Sequence, residues 1–257
     1  MIRTRRVIAA TAVSLALGAG CSGNDQPDLS LPDDAGAPAD DDTTSTEAGD
    51  VATDRGETVH VAQAIGPTLV VRESAQASGE KLVTLSAADE VSGVIVCVVV
   101  QQVGDWVQVR LPTGTVDRTG WVDRADVALS RHRFSIEVSR TDRSLTLYEG
   151  DNVLLTTPVA LGPDAPPAGR HLFVKELIRP PDPAGPFGSY AYGLSGSDND
   201  LDDFRAGAGV VAVHGTPDAA VLGADTPAGS IGVGSDVVTR MVDGIGLPLG
   251  TPVDIVD

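Results

Sequence analysis

Cysteine is almost missing from this chain: its 257 residues include two, Cys21 and Cys97, so no disulfide framework organises the fold. Cys97 lies inside the apolar run Val94 to Val100, where a lone thiol reads as a small core hydrophobe with a raised pKa and little reactivity. Positive charge is also scarce, with 18 Lys and Arg against 36 Asp and Glu and a formal net charge of -18. That balance argues against nucleic acid as a partner and against a polybasic mode of membrane binding. Aromatic residues make up 4%, while Val, Ala, Gly and Pro are plentiful, a composition suited to short strands and many turns. There are four histidines, and His60, His132 and His171 fall on separate segments with no metal-ligand spacing. Metal and cofactor are therefore both expected to be none.

The one long apolar run at the N-terminus, Val7 to Leu17, is too short to span a bilayer comfortably and follows the basic residues Arg3, Arg5 and Arg6, as in a signal peptide. It leads into Leu17-Gly18-Ala19-Gly20-Cys21, which resembles the lipobox of bacterial lipoproteins, although the leucine stands four places before the cysteine rather than three. The resemblance implies cleavage after residue 20, lipidation of Cys21, and an exported protein anchored to the membrane through lipid alone. Residues 22–57 then hold eleven acids and one base, Arg55, with almost no large apolar side chains. Such a segment cannot bury enough surface to offset its ordering entropy and reads as a self-repelling tether.

From Thr58 the pattern changes to short apolar runs separated by Gly, Pro, Ser and Asp, including Leu69-Val70-Val71, Leu82 to Leu85, Trp106 to Val109 and Gly120-Trp121-Val122. Their spacing predicts a small antiparallel barrel over 58–129. The phrases around Trp106 and Trp121 resemble the last strands of bacterial SH3-like domains, with both tryptophans expected in the core. A second series opens at Arg133: Phe134 to Val138 and Ser144 to Tyr148 alternate, and the break at Asp151-Asn152 predicts a hairpin. Prolines exclude Pro163 to Gly169 from a central strand, and Pro180 to Gly188 reads as another loop. One short helix is expected, with Ser235-Asp236 as its N-cap region, and a terminal strand closes the chain.

Val211-Ala212-Val213-His214-Gly215-Thr216 reads as a buried strand ending in histidine, and Ser230-Ile231-Gly232-Val233 begins sixteen positions after that histidine. This layout resembles the L,D-transpeptidase (YkuD-type) domain, whose signature is a histidine followed after a similar spacer by Ser-His-Gly-Cys. Other motifs occur in the family's order: Thr157 to Gly162 before the Pro-rich loop, Tyr190-Ala191-Tyr192-Gly193-Leu194-Ser195, and the closing Leu247 to Val253. The resemblance implies a β-sandwich over 130–257 and a cell-wall location. The family reaction is peptidoglycan cross-linking, in which a cysteine thiolate attacks a tetrapeptide stem and an amine resolves the acyl-enzyme.

Carried over position by position, the resemblance makes His214 the base and places Val233 at the nucleophile position, with Ser230 and Gly232 beside it. It makes Tyr190, Tyr192, Gly215 and Thr216 candidates for lining a stem-peptide groove. A valine has no proton to lose, and removing such a nucleophile costs roughly a millionfold in turnover. The resemblance then implies a degenerate enzyme that binds peptidoglycan stem peptides or another envelope protein. The alternatives are an active transpeptidase using a non-standard nucleophile such as Ser230, and a structural lipoprotein with no ligand.

Overall fold

Alternating apolar residues and frequent turn residues produce a mainly β structure, seen in a computed structural model that describes residues 56–113, 118–196, 211–226 and 230–257. The leader, Cys21 and nearly all of the acidic segment lie outside the described residues. No helix among the described residues is long and apolar enough to cross a membrane.

The first seven strands are β1 (Val59–Ala64), β2 (Thr68–Arg72), β3 (Lys81–Ser86), β4 (Val96–Val103), β5 (Trp106–Arg110), β6 (Thr119–Asp123) and β7 (Val127–His132). They form one antiparallel, barrel-like sheet in the order β3-β2-β6-β5-β4-β1-β7. Its core holds Leu69, Val71, Ile95, Cys97, Val107, Val109 and Val122. Because strand side chains alternate, burying Val107 and Val109 turns Trp106 toward the other face, and Val122 does the same to Trp121. Both tryptophans are half-buried flank residues, not the core residues that the sequence pattern predicts. Gly120 faces the same core, where any Cβ would collide with Val71.

The remaining strands are β8 (Phe134–Ser139), β9 (Ser144–Glu149), β10 (Asn152–Pro158), β11 (Ala160–Leu161), β12 (Arg170–Ile178), β13 (Ala191–Leu194), β14 (Ala212–Thr216), β15 (Ile231–Gly234) and β16 (Pro252–Val256). Their order is β10-β9-β8-β16-β12-β13-β14-β15-β11, antiparallel except for β16 with β8 and β14 with β15. Ile136 and Leu147 from one end share a single core with Val213 and Ile231 from the other, so the sheet closes over itself as a sandwich.

Helix α1 (Ser235–Thr239) continues as a π-helical turn over Arg240–Ile245 and covers that core with Val238 and Met241. Gly246, at φ 71, ends it in the left-handed conformation. The expected capping by Ser235 is not observed: Gly234 is the N-cap, and the buried Ser235 hydroxyl has no hydrogen-bond partner. The described residues are mainly β, a small barrel-like sheet followed by a sandwich that carries one short α-helix, as composition and alternation predict.

Candidate functional site

The parallel pairing of β14 with β15 decides the geometry around His214. Its register sets Val213 beside Ile231, His214 beside Gly232, Gly215 beside Val233 and Thr216 beside Gly234. Paired residues in neighbouring strands point to the same face, and successive residues point to opposite faces. His214, Thr216 and Gly232 therefore share one face, joined across β13 by Ala191 and across β11 by Ala160. Val213, Gly215, Ile231 and Val233 face the other way.

The buried imidazole of His214 lies over Gly232, with its Cε1 3.6 Å from where a Cβ on that glycine would stand. Its Nδ1 is 3.1 Å from the Gly215 carbonyl oxygen. A carbonyl accepts only, so Nδ1 carries the proton and the neutral ring keeps its lone pair on Nε2. Burial pushes the His214 pKa below the ordinary histidine value, and the bond to Gly215 offsets part of that shift. Phe187 meets the ring edge-on at a centroid distance of 5.1 Å. The loop that carries it is drawn close by Gly188, where a Cβ would come within 2.9 Å of the Gly215 Cα. The family resemblance gave no signal for Phe187, because its contact with the ring is made across a loop.

Ser230 directly precedes β15, and extending the strand alternation by one residue assigns it to the His214 face. It is fully buried, its Oγ donates to the Asp164 carbonyl at 3.3 Å, and its own carbonyl accepts from the Gly162 N–H at 2.8 Å. Val233, expected beside the imidazole, is instead turned into the hydrocarbon core with Val213, Ile231 and Val238. The reason is the two-residue strand period: a residue one place from Gly232 must face away from His214. Tyr192 is likewise not a groove residue. It pairs with Val213, is wholly buried beneath the helix, and has a hydroxyl without a hydrogen-bond partner. Burial raises its pKa, with Asp243 and Tyr190 adding to the shift.

Tyr190 stays half-buried, its hydroxyl 3.3 Å from both carboxylate oxygens of Asp243 and its ring 5.7 Å from the Arg179 guanidinium carbon. Gly215 contributes its carbonyl to His214 and its N–H to the Tyr190 carbonyl at 3.1 Å. Thr216 is half-buried at the strand end. Cys97 sits in the core of the other sheet, where burial and, secondarily, Glu90 push its thiol up to about 12. No group of three or more His, Cys, Asp or Glu among the described residues could hold a metal ion.

The face therefore offers a neutral imidazole with its lone pair on Nε2, a buried glycine where a Cβ would meet Ala160 and the ring at ordinary contact distance, and a buried serine hydroxyl. Among the described residues it presents no thiol, the described cysteine, Cys97, being in the other sheet. No family model matches the chain. The chain is 38% identical over 73 residues to a curated Bacillus licheniformis protein named as the L,D-transpeptidase YkuD; the match spans 26% of this chain and 44% of that relative. Among solved structures, it overlaps Bdellovibrio bacteriovorus Bd1075 over 49% of this chain and 48% of that one, at 27% identity and a TM-score of 0.38. It also overlaps an L,D-transpeptidase from Mycobacterium smegmatis over 59% of this chain and 91% of that one, at 14% identity and a TM-score of 0.39. Over those 73 residues the chain is similar to a YkuD-type L,D-transpeptidase, and it spans less than half the length of that curated relative.

Proposed function

We propose that this is an exported, lipid-anchored envelope protein whose sandwich binds peptidoglycan stem peptides at the His214 face without thiolate chemistry. In this reading residues 1–20 are a signal peptide and residues 21–57 a lipidated cysteine with its acidic tether. Residues 58–129 are an SH3-like module, and residues 130–257 are the L,D-transpeptidase-like domain, facing the wall. The observation that carries the reading is the pairing of a retained, neutral His214 with Gly232 on a face that has no thiol. Acyl transfer of the family's kind needs a nucleophile that can lose a proton to its base. Neither glycine nor the inward-facing Val233 supplies one. Another envelope protein is the alternative ligand for the same face.

The test uses the full-length protein with purified wall fragments and, separately, with a carbapenem, a β-lactam class that acylates the family's cysteine. Retention on the wall fragments with no covalent mass added by the carbapenem is the expected result. Failure to bind both wall fragments and envelope proteins removes the binding reading.

One observation favours a second reading, a serine-dependent transpeptidase: Ser230 stands on the same face as His214. In such a step the His214 Nε2 would take the hydroxyl proton as Oγ attacks the stem carbonyl. The proton would then pass to the nitrogen of the departing D-alanine. An added carbapenem mass localised to Ser230 is the outcome that distinguishes it.

A further inference from the structure

We propose that the barrel-like sheet supplies a fixed wall of the His214 face: its segment Glu90–Ser92, clamped by the buried group Glu90, Lys175 and Glu176, covers Ala191 and Ala212 and closes that end to ligand. The inference rests on reading the His214 face as a ligand site.

The sequence leaves a row of small side chains on this face, Gly193, Ala191 and Ala212, which would otherwise form an open trough beside His214. The trough is filled. Val91 packs on Ile178, Ala191 and Ala212. Glu176 lies across β13, so that a Cβ on Gly193 would stand 2.7 Å from its Cγ. Ala191 is the direct strand partner of His214, and Ala212 is two residues before it on the same face. Extending the β14–β15 register by one residue puts Ser230 opposite Ala212, at the foot of the wall.

The clamp explains why this contact is fixed. A β-bulge between Val174 and Glu176 breaks the alternation of β12, and the consecutive residues Lys175 and Glu176 both reach the barrel segment. The Lys175 ammonium is 2.9 Å from the Glu90 carboxylate and 3.8 Å from that of Glu176. Glu176 also accepts the Ser92 N–H at 3.0 Å. All three side chains are buried, so each charge depends on the others, and taking one away leaves an unpaired charge out of water. A ligand reaching His214 is therefore confined to the side of Gly232, Ala160 and Thr216.

The wall is tested by thiol labelling of full-length Ala212→Cys with a small maleimide, the labelled residue being located by peptide mass spectrometry. Labelling is expected to be slow in the parent and at least about tenfold faster when Lys175→Met or Val91→Gly is added, because either change loosens a segment otherwise held by packing and charge. Buried Cys97 serves as the internal reference, since it reacts only on global unfolding. Equal Ala212→Cys rates in all three backgrounds, with Cys97 protected, would overturn the wall. Should Lys175→Met unfold, Val91→Gly decides alone, since it removes the covering side chain and leaves the ion pairs in place. Wall-fragment binding is measured separately on the parent: its absence removes the ligand reading while the labelling result still stands.

Discussion

Ser230, Gly232 and Val233 lie within four positions of one another in sequence, yet they do not share one environment. Gly232 lies on the imidazole face, strand alternation extended by one residue assigns Ser230 to the same face, and Val233 is packed in hydrocarbon. A thiol introduced at 230 would replace a hydroxyl on the His214 side, whereas one at 233 would sit in the core as Cys97 does in the other sheet. Because the closed end of the face buries position 230, Ser230→Cys is expected to gain a carbapenem adduct when Val91→Gly opens that end, and His214→Ala should abolish it. Val233→Cys is expected to gain none and to cost about 1 kcal/mol or less, as a swap of similar volume. Intact mass after carbapenem incubation reads both, and acylation of Val233→Cys without acylation of Ser230→Cys would reverse the assignment of faces.

Among the elements, the loop from Pro180 to Gly188 matters most to the site, because it brings Phe187 against the His214 ring. Gly188 makes that possible in two ways. It has φ 63, a left-handed conformation, and it approaches the Gly215 backbone where a side chain has no room. Gly188→Ala is expected to lose roughly 1–3 kcal/mol in denaturant unfolding through strain and backbone displacement. The same variant should also shift the His214 ring resonances by NMR, because Phe187 moves with the loop; unchanged stability and an unmoved ring would count against the loop as the cover of the imidazole.

At the scale of the whole molecule, the buried charge group ties the two sheets together, and Glu176 makes that tie depend on pH. Burial raises its pKa above the ordinary glutamate value, against the lowering effects of Lys175 and the backbone N–H groups of Ser92 and Val91; Glu90 raises it further. A carboxyl with a raised folded pKa binds more protons in the native state than in the unfolded chain between the two values. Its contribution to stability therefore falls as pH rises through that window. The difference in unfolding free energy between the parent and Glu176→Gln should move against the parent as pH rises from about 4.5 toward the folded value, by at most about 1.4 kcal/mol per pH unit. Thermal or denaturant melts across that range check it; a difference that does not vary with pH would show Glu176 titrating as it does in the unfolded chain.

From the amino-acid order came the β class, the break between two series of strands, the short helix near the end, and a resemblance to the L,D-transpeptidases through the order of its motifs. These follow from local periodicity and from residue types that a chain displays without folding. The scarcity of cysteine likewise left no sulfur for the site. Tertiary structure alone decided which residues face His214. The sequence places Val233 nineteen positions after the histidine and Ser230 sixteen, but the register between β14 and β15 settles which one shares its face. It also turned Tyr192 into the core, set Phe187 against the imidazole, and closed the trough beside His214 with a segment more than a hundred residues away. Register and side-chain direction are properties of two strands together, and a one-residue step reverses them, so no reading of either strand alone could supply them.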